Sequence, residues 1–174
     1  MSQISKRVRD QIRTFLAASD GFNFTLESVS STYGITPFSI NFGAGSFNFF
    51  QGQVDPRQLE ATSVIKYPLI CLFSQSIEDD NEQKFQLFSG KVNMILDVHM
   101  NFQPAKALLD FESMDDAIED TIVQIMNRQS NQTWDMETVY NGNVSLARFP
   151  VSLGATNWRQ TLRFKLAFEV NEQS

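Results

Sequence analysis

Cys71 and His99 are the single residues of their types in the 174-residue chain. Both fall on segments whose patterning predicts the two strands of one hairpin, where a thiol nucleophile and an imidazole base could face each other. Their surroundings point the other way. Cys71 sits inside the apolar run Leu69 to Phe73, where a thiol behaves as a small inert hydrophobe, and His99 lies on the polar face of its strand. Asp115, Asp116 and Glu119 have a spacing that suits a divalent cation, but nothing nearby in sequence supplies the remaining ligands. The chain holds no Gly-x-Ser-x-Gly, phosphate loop, dinucleotide fingerprint or paired Cys/His spacing. The expectation is a protein without catalysis, metal or cofactor.

The elements that carry these residues are clearer than any chemistry. Leu69 to Phe73 is apolar on both faces, as a strand with protein above and below it must be. Pro68 stands near its start, where a missing ladder donor costs least. Glu78-Asp79-Asp80-Asn81-Glu82 supplies a solvated turn. The chain then returns with Val92, Met94, Leu96, Val98, Met100 and Phe102 on one face and Lys91, Asn93, Asp97, His99 and Asn101 on the other. Only Ile95 breaks the alternation.

Length and composition bound the class. A chain of 174 residues is most simply one domain, spanning 1–174, with enough length for its own core. Its formal net charge of -6 and pI near 4.7 have the wrong sign for gripping phosphates. No apolar run approaches the length of a membrane span, and the N-terminal residues lack a signal-peptide core. The expected site of folding is a cytoplasm.

Ile4, Val8, Ile12, Phe15 and Leu16 line one face of a predicted helix over Ser2 to Ser19, which Asp20-Gly21 ends. Its polar face carries Lys6, Arg7, Arg9 and Arg13. Phe22 to Leu26 alternates as a short strand does. Ser28 to Val54 contains no charge, six aromatics and four glycines, and reads as an arm or irregular hairpin. Its aromatics are covered either by the domain's own sheet or by another subunit. Asp55-Pro56 is placed to start a short helix. Asp110 to Asn127 is an amphipathic helix with acids crowding its first half. Trp134 to Phe149 and Leu162 to Val170 form a second hairpin, with a bulge or turn at Asn141-Gly142-Asn143. The fold class is therefore α+β: a mainly antiparallel sheet packed by the N-terminal helix and the central acidic helix, with residues 28–54 as an extended aromatic arm.

This order of elements resembles the tail terminator, or tail-completion, proteins of long-tailed bacteriophages. The similarity is carried by Tyr67-Pro68-Leu69-Ile70-Cys71-Leu72, the long strand Gly90 to Met100, the helix Asp115 to Met126, and an ending in which Trp158 leads into an alternating strand finished by Phe168-Glu169. It spans most of the chain and rests on patterns; the long aromatic segment departs from smaller family members. The resemblance implies a virion structural protein, assembled in the host bacterial cytoplasm. It would form a hexameric ring on the head-proximal end of the tail tube, stop tube polymerisation and serve head-tail joining at the neck. Its partners would be copies of itself, the tail tube protein and head connector proteins, with DNA passing through the lumen without specific binding. An acidic lumen would repel that DNA. On this reading the arm is an assembly arm. Phe38, Phe42, Phe47, Phe49 and Phe50 are then expected at a subunit interface, and Asp115, Asp116 and Glu119 toward the lumen or a partner. The alternatives are another neck, connector or baseplate component, or a small-molecule binding module whose aromatic arm closes over an apolar cavity.

Overall fold

The computed structural model describes residues 4–79, 86–102, 111–129, 138–153 and 157–173. The expected turn at 80–82, the connection at 103–108 and the strand start at 134–137 lie outside them. The order is α1 (Ile4–Ala17), α2 (Phe22–Tyr33), β1 (Phe49–Phe50), α3 (Pro56–Thr62), β2 (Leu69–Asp79), β3 (Gln86–Phe102), α4 (Phe111–Gln129), β4 (Thr138–Arg148), β5 (Ser152–Leu153) and β6 (Trp158–Gln173). This is an α+β fold. The sheet runs β1-β2-β3-β6-β4, with β5 added to β6. Every pairing is antiparallel except β1 with β2.

Strand alternation fixes the core. Val92, Met94, Leu96 and Val98 on β3 lie opposite Phe168, Leu166, Phe164 and Leu162 on β6; all eight are buried on one face. Helices α1, α2 and α4 cover that face. Ile4, Val8, Ile12 and Leu16 of α1, and Ala117, Ile118, Ile122, Ile125 and Met126 of α4, belong to the same cluster. Thus α1 packs on β2, α4 on β4, and α2 lies against both other helices. On the opposite face of β2, Leu69 and Cys71 are also fully buried, which is why that run is apolar on both sides. The expected irregularity at Asn141 to Asn143 is present: β4 departs from its register with β6 between Tyr140 and Val144.

Two expectations are corrected. Phe22 to Leu26 is the start of a helix, not a strand. Phe22, Leu26 and Val29 fall at 0, +4 and +7 and are buried, whereas Phe24, which strand alternation would bury with them, is 57% exposed. The helix ends at Gly34, whose φ of 67° is the left-handed conformation that closes a helix, with its N–H donating to the Ser30 carbonyl.

The uncharged segment is the second correction. Its first part is the end of α2, and the rest packs onto the same domain. Phe22, Phe38, Phe42 and Phe49 form a chain of ring contacts with centroids 6.0, 6.1 and 5.0 Å apart. Two asparagines satisfy the irregular backbone. The Asn23 side chain accepts from Ile40 N and donates to Ile40 O, at 2.8 and 2.9 Å. Buried Asn48 accepts from Asn41 N and donates to the Ser39 carbonyl, both at 3.0 Å. A segment without regular ladders is thereby anchored at its buried residues Ile40, Phe42 and Asn48, with the backbone groups that the asparagines reach satisfied.

Candidate functional site

Two polar clusters stand out, one on each side of the sheet. On the side away from the helices, β3 and β6 bring Asp97 opposite Arg163 and His99 opposite Thr161. Arg163 grips Asp97 through two bonds of 2.8 Å, the bidentate geometry that best repays burial of a carboxylate. Its guanidinium lies between Phe149 and Phe73, 5.4 and 6.0 Å from their ring centroids. His99 Nδ1 is 2.8 Å from the Thr161 hydroxyl. Burial holds the imidazole below its ordinary pKa and so neutral at pH 7.

Helix α3 is pinned over the end of this cluster. Asp55 caps it, accepting from Arg57 N at 2.9 Å. Glu60 receives both terminal nitrogens of Arg159, each at 2.9 Å, and the Tyr67 hydroxyl. A cavity of about 290 Å³ remains, lined by His99, Arg57, Arg159, Arg163, Tyr67 and Phe149 among others.

Cys71 and His99 share this face but not a pair. Cys71 lies opposite Asp97, and His99 opposite Leu69. Burial pushes the Cys71 thiol up to about 12, so at neutral pH it carries no nucleophilic thiolate.

The second cluster joins α4 to β4. Arg148 occupies the helix-facing side of β4, opposite Leu162. It donates to Glu112 at 2.6 Å, to Asp116 at 2.7 Å and to Glu119. Asp115 is fully buried beside them, its nearest oxygen 3.9 Å from the same guanidinium. Among the described residues neither Asp115 oxygen has a partner at hydrogen-bonding geometry, although the Gln160 side chain is close enough to lower its pKa weakly. Burial pushes its pKa up to about 7; Arg148 opposes the rise, and Glu112 and Glu119 add to it. Among the described residues no group of His, Cys, Asp and Glu is arranged to hold a metal ion.

The expected site residues are thus redistributed. Asp115, Asp116 and Glu119 do meet, but around Arg148 within one subunit. Buried Asp115 cannot line a lumen, and Glu119 is largely enclosed, its side chain 19% exposed. Of the aromatics expected at a subunit interface, Phe42 and Phe49 are in the protein's own core and Phe38 packs against it. Phe50 is half-buried on the other face of β1, and only Phe47, 59% exposed, is open to a partner. Sequence reasoning missed Arg148, Arg163 and Arg159. The alternation placed Arg163 and Asp97 on polar faces, but their pairing follows only from the β3–β6 register. No membrane-spanning helix is present among the described residues. A scan against protein-family models finds no match, and a search of curated proteins finds none either.

Proposed function

We propose that this chain is a structural protein of the phage virion, a tail terminator that caps the head-proximal end of a tail tube as a hexameric ring and offers the surface for head-tail joining. The observation that carries this reading is the partly open second face of the sheet. Strands β3 and β6, of 17 and 16 residues, pair along their length with α1, α2 and α4 on one face. On the other face Lys91, Ser145, Ala147, Lys165 and Glu169 are exposed. A sheet whose second face is covered toward α3, where Leu69, Cys71, Ile95 and Asp97 are buried, and open at these exposed positions suits a subunit that completes itself by assembly. Exposed Phe47 and Phe24 are further contact candidates. The net charge of -6 fits a ring through which DNA slides without being held.

Light scattering across a concentration series, with negative-stain images of the peak fraction, tests the reading. A closed ring of defined subunit number is expected. A strictly monomeric protein at high concentration would overturn it.

One observation favours a second reading, a small-molecule binding module: the cavity beside His99. It differs from the expected pocket under the aromatic arm, which Phe42 and Phe49 fill. Saturable binding of a small anion at this cavity by a protein that stays monomeric would favour the module.

A further inference from the structure

The helical layer places opposite charge at its two lateral ends. At the β1–β2 edge, α1 carries four cations and a single acid, and of these Lys6, Arg13 and Asp10 face a common groove. The groove, of about 830 Å³, opens between α1 and residues 40–43. A second hollow continues from it past Gly43 to Gln51, the segment that carries exposed Phe47. Lys6 is 64% exposed although it pairs with Asp10. At the β4 edge, the first half of α4 carries Glu112, Asp115, Asp116, Glu119 and Asp120. The cation that β4 sets among them is Arg148. Glu112 remains 78% exposed and Asp116 47%, beside exposed Leu146.

These two surfaces lie at opposite ends of the strand order, so they cannot meet within one chain. Between two chains they can. We propose that the acidic first half of α4 docks into the basic α1 groove of a second copy of this chain. The contact is heterologous: each copy uses its groove for one neighbour and its α4 for the other. Repeated contacts of that kind close into a ring when the rotation allows and otherwise run on as a filament. A neighbour's lysine and arginine would also offset the surplus of carboxylates around Arg148, while Phe47 and Leu146 supply apolar contact. The inference rests on the ring reading above and adds to it the two surfaces and their pairing.

Charge reversal in both directions tests it. Lys6→Glu with Arg13→Glu makes both edges acidic, and Glu112→Lys with Asp116→Lys makes both edges basic. Each double variant alone is expected to associate roughly 100-fold more weakly than the parent. An equimolar mixture is expected to recover assembly, because alternating copies restore an acid-base pair at every contact. Light scattering reads the mass, and circular dichroism verifies the fold of each variant. Parent association is also expected to weaken steeply between 50 and 500 mM salt, roughly as exposed charge pairs are screened, a measurement that needs no variant. If folded single variants assemble like the parent, if their mixture stays dissociated, or if parent association ignores salt, the pairing is overturned while the ring reading stands. A parent that stays monomeric under all conditions defeats both.

Discussion

Replacing Asp115 by asparagine removes a charge and little else, and its effect on stability depends on pH in a direction the structure fixes. Asp115 is fully buried, its two oxygens have no well-formed hydrogen bond among the described residues, only a weak influence from Gln160, and the nearest guanidinium is committed to Glu112, Asp116 and Glu119. Its pKa rises from the ordinary 3.8 to about 7 on folding. Between those values the folded protein binds more protons than the unfolded chain, so stability falls as pH rises from about 4 to about 7 and levels off above. Each tenfold change in proton affinity corresponds to about 1.4 kcal/mol, which places the cost of ionising this carboxyl in the fold at roughly 4 kcal/mol by pH 8. Asparagine cannot ionise. Near pH 4 the Asp115→Asn variant should match the parent within about 1 kcal/mol, and at pH 8 it should be more stable by roughly 2 to 4 kcal/mol. Urea denaturation at four pH values, with the slope compared between proteins to verify a common unfolded state, reads the difference directly. A gap that is flat across the range, or a parent that gains on the variant as pH rises, would refute the reasoning, because Arg148 would then be holding Asp115 in its charged form.

Three other outcomes follow from burial and backbone geometry. Phe42→Ala should cost about 3 to 5 kcal/mol and Phe47→Ser less than about 0.5 kcal/mol, measured by the same titration; equal effects would return Phe42 to a subunit interface. Gly90→Ala should cost roughly 1 to 3 kcal/mol, because a Cβ there would lie 1.7 Å from the Glu78 carbonyl oxygen on β2; an unchanged denaturation midpoint would show that the two strands separate freely. Cys71→Ala should lower stability by roughly 1 kcal/mol and leave assembly intact, and the native thiol should resist maleimide at pH 8 until the protein unfolds; rapid labelling of the folded protein would contradict its burial.

What could be read from the sequence was whatever repeats with a fixed period. The alternation from Val92 to Met100 and from Leu162 to Val170 has period two with one face buried, so both strands and their core sides were legible. The same period misled at Phe22-Asn23-Phe24-Thr25-Leu26, a stretch too short to separate from the helical spacing of Phe22, Leu26 and Val29. Residues 35–48 have no period at all. Their path over the domain depends on Asn23 and Asn48 reaching backbone groups up to 17 residues away, which no local pattern announces. The α4–β4 cluster was half legible: the acids were visible on one helix face, but the bulge between Tyr140 and Val144 shifts the β4–β6 register by two residues. That moves Arg148 roughly 7 Å along β6 and brings it among the carboxylates.

The most direct test of the central claim is a capping assay. Tail tube subunits are polymerised in vitro with increasing amounts of this protein, and tube lengths and ends are measured by negative-stain electron microscopy. Tail termination predicts shorter tubes as the ratio rises, with one ring of added density at one end of each tube. Tubes that keep their length and carry no added density, in the presence of folded and assembled protein, would contradict it.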